Sequence, residues 1–158
     1  MPTVSVVKCH DYELEKVYHA IHKSLSLLNG VDKLVNPGMK VLLKLNLLSS
    51  SQPPERAVNT HPAVVRALVN IFQKDFGCEV YIGDSSGSVK NASTFNAFRI
   101  TRINEIAEET GAKIVNFDKD EYIDVHNKDY EVLDKFRIAR TLRTVDFWTR
   151  TQRTGCVR

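Results

Sequence analysis

Val41-Leu42-Leu43-Lys44-Leu45 is the stretch on which the fold turns. Its apolar residues follow one another without the polar alternation of a half-exposed strand, so it reads as a strand covered on both faces. Such a strand belongs in the middle of a parallel sheet. The turn Asn36-Pro37-Gly38 leads into it, and a polar loop from Asn46 to Asn59 leads out. On the N-terminal side, apolar residues at 14, 17, 18, 21, 25 and 28 form one helical stripe that Gly30 stops. Before that helix, Val4, Val6 and Val7 predict a first, β-branched strand. On the other side, Thr60-His61-Pro62 places a proline in the first turn of a helix whose buried face is Val64, Val65, Leu68, Ile71 and Phe72. Gly77 closes it. Glu79-Val80-Tyr81-Ile82 predicts a third strand, a helix over 101–110 ends at Gly111, and Lys113 to Phe117 predicts a fourth.

Strands alternating with helices imply right-handed crossovers. The fold class is therefore α/β, a Rossmann-like three-layer sandwich with a mostly parallel sheet. A C-terminal β-hairpin follows, from Tyr122–Val125 and Val132–Phe136 around Asn127-Lys128-Asp129. One domain is expected over 1–140. Residues 141–158 hold five threonines and four arginines without a sustained period, and read as an unpacked basic tail or the remnant of a truncated or frameshifted gene.

The 158 residues carry a net charge of +3, unevenly spread. From Lys135 onward there are seven basic residues and one acidic one, whereas the part before is net negative. The basic character belongs to the tail, which argues against a nucleic-acid groove on the domain and leaves only a nucleic-acid or partner-binding role for the tail. Cys9, Cys78 and Cys156 are far apart and form no C-x-x-C pair, so neither zinc nor an iron-sulfur cluster is expected in this chain. Cys9 and Cys78 read as small core residues. A reducing, cytoplasmic compartment and no membrane segment are the corresponding expectations.

In an open parallel sheet, ligands bind beyond the carboxyl ends of the strands. Three polar groups fall there: Lys44 with Asn46, Thr60 with His61, and Asp84 with Ser85 and Ser86. Each has a plain structural role as strand end, helix cap or turn. Together they place a cation, an imidazole and a carboxylate on one rim, a set that suits a small anionic ligand or a metal ion held by His61 and Asp84. Gly83-Asp84-Ser85-Ser86-Gly87 also matches G-x-S-x-G, which raises a serine hydrolase using Ser85 with Asp118 and His126. His19 and His22, three apart on the first helix, read as solvated surface.

Lys44-Leu45-Asn46-Leu47-Leu48, Pro53-Pro54-Glu55-Arg56-Ala57-Val58, Thr60-His61-Pro62 and Gly83-Asp84-Ser85, in that order, resemble the family called domain of unknown function 362. Asn36 to Val41 and Glu108 to Ala112 extend the likeness, which spans roughly residues 3 to 140. Members usually carry proline at the position of Leu45 and often at Ser86. The resemblance implies a ligand- or metal-binding domain of unknown activity, often fused to a ferredoxin-like iron-sulfur module that is absent here. The fold it implies is similar to the N-terminal domain of nickel-dependent lactate racemases.

Overall fold

The structure, a computed structural model, describes residues 3–86, 93–126, 128–129 and 131–151. Strand β1, Lys40–Lys44, sits inside a four-stranded sheet with β2, Glu79–Asp84, on one side and β6, Phe147–Arg150, on the other. Strand β3, Lys113–Asn116, lies outside β2, and the three neighbouring pairs are all parallel. The apolar run behaves as its composition demands: Val41, Leu42 and Leu43 are wholly buried. Each such side chain contributes about 1.5–3 kcal/mol by leaving water.

One face of the sheet, carrying Val41, Leu43, Val80 and Ile82, packs on helices. These are α1, Leu14–Ser26; α2, Pro62–Asn70, prolonged by a π-turn over Ile71–Asp75; α3, Thr94–Ile100; and α4, Ile103–Thr110. Val17, Val65, Phe72, Phe98 and Ile106 supply the matching apolar surface. The opposite face is thinner. There Leu42 meets Phe117 and Ala139, with Leu142 of the one-turn helix α5, Thr141–Thr144, and Val145 beside them. Gly83 belongs to this face, and a Cβ on it would lie 2.7 Å from Phe117 Cζ and 3.0 Å from Leu42 Cδ1. Only glycine lets the Phe117 ring close over β2.

The α/β class, the parallel sheet and the hairpin agree with the sequence, and three local expectations are corrected. Val4 to Val7 form no strand; Val4 and Val6 are exposed and the segment lies unpaired alongside α1. Their β-branched side chains suit a strand but do not supply a partner. The place beside β1 goes instead to Phe147–Arg150, so residues 141–150 are helix and strand rather than tail. Residues 152–158 lie outside the described residues. Strand β6 is fastened at both ends: the Lys40 amide donates to Asp146 Oδ2 (2.8 Å) and the Thr151 amide to the Lys44 carbonyl (2.7 Å). The hairpin pairs β4, Tyr122–His126, with β5, Lys135–Ala139, three residues later than Val132 suggested. Val132 and Leu133 stay in water, and the expected turn residue Asn127 lies outside the described residues. Helix α3 was not foreseen, since Thr94, Ala97 and Phe98 make too short an apolar stripe to stand out.

Among the described residues, no helix is long and apolar enough to cross a membrane. His19 is exposed on α1 beside Glu15, and Cys78 is buried in the core.

Candidate functional site

Parallel pairing of β1 and β2 sets Lys44 opposite Gly83, so both strands end at the same rim. There the Lys44 ammonium donates to Asp84 Oδ1 and, at 2.6 Å, to the Leu45 carbonyl. An ammonium has three N–H groups, so one has no partner among the described residues. Asp84 is almost completely buried. Its Oδ2 accepts the Leu47 amide (2.5 Å) and its Oδ1 also accepts the Ser85 amide (2.8 Å). Burial pushes the Asp84 carboxyl above its ordinary range, while the Lys44 charge and the two amides oppose that rise. The carboxylate thereby ties the loop after β1 to the end of β2.

Asn46 and Thr60 are joined twice. The Asn46 amide donates to Thr60 Oγ1 (3.0 Å), and the Thr60 amide donates to the Asn46 carbonyl (2.9 Å). Asn59, equally buried, accepts the Ser49 amide and donates to the Ser49 and Gln52 carbonyls. These bonds hold the 46–59 loop across the rim. His61 caps α2: its Nδ1 accepts the Ala63 amide at 3.2 Å. Its ring stacks on Tyr12 with centroids 3.6 Å apart and planes 13° from parallel. Partial burial lowers the His61 pKa, against a weaker upward pull from Glu55. With Nδ1 occupied as an acceptor, the neutral ring carries its proton on Nε2.

The structure thus joins Lys44, Asp84 and Ser85 in one hydrogen-bonded group, and Asn46 with Thr60 in the adjoining loop, with His61 next in the chain. It does not join His61 to Asp84: no hydrogen bond links them among the described residues. Those residues also hold no cluster of three or more His, Cys, Asp or Glu able to hold a metal. Both Asp84 oxygens are taken by N–H donors, and a neighbouring ammonium repels a cation. The residues present fit an anion better than a metal.

The nucleophile-elbow expectation meets a different geometry. Ser85 follows β2 directly, but Ser86 is not helical; its amide donates to Thr94 Oγ1 at 2.8 Å. Gly87 lies outside the described residues. Thr94 Oγ1 in turn donates to Asp118, and no hydrogen bond joins Asp118 to His126 among the described residues. His126 is exposed on β4, opposite Lys135. Part of the C-terminal positive charge is also spent ahead of the supposed tail: Lys135 and Arg137 pair with Asp124, and Arg140 pairs with Glu121.

Ser86 is among the rim residues that the sequence offers, whereas Thr151 and Arg150 are not. Ser86 Oγ is buried without a hydrogen-bond partner among the described residues. Thr151, also buried, donates both its amide and its hydroxyl to the Lys44 carbonyl. Arg150 stands beside Lys44 in register. Thr151 and Arg150 belong to the supposed tail, a segment with no period to mark it.

A thylakoid-associated protein of Synechocystis sp. is 32% identical over 98 residues, covering 61% of this chain and 30% of that protein. This chain therefore spans well under two thirds of that relative's length. No solved structure matches. The family match runs over residues 41–150, from β1 through β6, and by it the chain belongs to the family described as domain of unknown function (DUF362).

Proposed function

We propose that this chain is a ligand-binding α/β domain that holds a small anionic ligand at the carboxyl rim of its sheet, with Lys44 as the central contact. The observation that carries this reading is the Lys44 ammonium, held at the end of the central strand with one N–H uncommitted among the described residues and about a third of its side chain open to solvent. Asp84 positions that ammonium. Asn46, Thr60 and Ser85 shape the surrounding loops through the bonds described above. The free amides of a helix N-terminus, a common anion site, are no competitor here, because His61 already caps α2 and Pro62 has no N–H.

The metal version, with His61 and Asp84 as ligands, is the weaker form. It would require Asp84 to release amide donors and His61 to bind through Nε2 alone. Three widely spaced cysteines without a C-x-x-C pair favour a cytosolic setting.

Titration with inorganic phosphate and, separately, acetate, followed by amide NMR shifts, tests the reading. Saturable shifts concentrated at Lys44–Leu47, Thr60 and Ser85 are expected. Shifts scattered evenly over the surface, or none, would remove the site.

A further inference from the structure

We infer that Arg150 is a second anion-contacting residue of this rim, and that the ligand carries a carboxylate or phosphate group taken by its guanidinium. The inference rests on the anion-binding reading above and assigns the class of ligand.

Register supplies the first argument. In the parallel β1–β6 pair, Lys44 lies opposite Arg150, as Leu42 lies opposite Trp148. Alternation along a strand puts Lys44 and Arg150 on the same face, with backbones about 4.8 Å apart. Two like charges so placed repel, and an anion between them would relieve that repulsion. On the other flank Lys44 faces Gly83, which contributes no side chain, so the cationic pair is not interrupted from that side.

Charge balance supplies the second. Lys44 has Asp84 as its counter-ion. Arg150 has neither an ion-pair nor a hydrogen-bond partner among the described residues. The contrast with its neighbours in sequence is instructive, since Lys135, Arg137 and Arg140 are all paired within the domain. Arg143, on α5, has no such partner among the described residues either, and of the two it is Arg150 that stands at the rim.

The third argument is positional. A residue ending an edge strand would ordinarily fray, but Thr151 anchors the chain just past Arg150 with two bonds to the Lys44 carbonyl, 2.7 Å from its amide and 3.1 Å from its hydroxyl. The atom that fixes Arg150 is thus the carbonyl of the lysine beside it. Arg150 presents a planar fork of N–H groups that matches two oxygens of one oxyanion, and Lys44 offers its remaining N–H to the same group.

The test uses the full chain and the two probes already named, inorganic phosphate and acetate, read by titration calorimetry or NMR. Arg150→Ala should weaken binding of the preferred probe about tenfold, the loss of one charge-assisted contact, with an unchanged melting temperature because the side chain is exposed. Arg150→Lys, which keeps charge and loses the fork, should retain part of the affinity. Lys33→Ala removes an equal exposed charge elsewhere and should leave affinity within about twofold. The probe that binds more tightly tells phosphate from carboxylate, and either order supports the inference. Wild-type affinity in Arg150→Ala, or an equal loss in Lys33→Ala, overturns it while leaving the Lys44 site standing. Failure of the wild-type chain to bind either anion overturns the site itself.

Discussion

Asp84 sits among more donors than a surface carboxylate meets, and its removal separates two roles. Asp84→Ala takes the acceptor from the Leu47 and Ser85 amides and the counter-ion from Lys44. A stability loss of about 3 kcal/mol is expected in denaturant unfolding; a loss below about 1 kcal/mol would show that the carboxylate is not the clamp described. His61 makes a pH-dependent contribution. Burial lowers its pKa, so the folded chain binds that proton less readily than the unfolded chain. Its contribution is complete above about pH 6.5 and declines as pH falls through the lowered folded value. Protonation would also turn the Nδ1 acceptor into a donor facing the Ala63 amide. In His61→Asn, which keeps an acceptor at the cap, the curve of stability against pH should flatten below about pH 6.5 relative to wild type. Parallel curves for the two proteins would show that the cap is insensitive to the ring's charge.

Strand β6 is the element whose role is most exposed to test. A chain ending at Val145 loses the ladder to β1, the Asp146 and Thr151 anchors, and the packing of Phe147 against Phe72 at 6.3 Å between ring centroids. Its melting midpoint should drop by about 10 °C, and it should self-associate through the bared edge of β1, as light scattering would report. An unchanged midpoint would make β6 an ornament. How far the sequence could be read follows from the same elements. Strands β1, β2 and β3 are legible because their apolar runs are bounded by turn residues. Strand β6 is not, because Phe147-Trp148-Thr149-Arg150 is short and half exposed, one residue inward and the next outward. Val4 to Val7 misled in the opposite direction, having strand composition without a neighbour to bond. At the rim, Lys44 and Asp84 could be foreseen from chain direction alone. Arg150 could not, since its position depends on which strand fills the far side of β1.

At the scale of the molecule, the sheet has one heavy layer and one light one. Helices α1 to α4 load one face, while α5 and the base of the hairpin only partly cover the other, where Trp148 is more than half exposed. The hairpin balances part of its own charge through Asp124 and Glu121, which ties down three of the seven C-terminal cations. The pairing of β1 with β6 also has a kinetic consequence. Lys44 and Thr151, bonded to each other, are separated by 107 positions in the chain. Closing so long a loop is slow, and during synthesis the central strand leaves the ribosome long before its second neighbour exists. The nascent protein must therefore carry a half-dressed apolar strand through most of its translation, a window in which a chaperone, or a misplaced edge from another chain, has its opportunity.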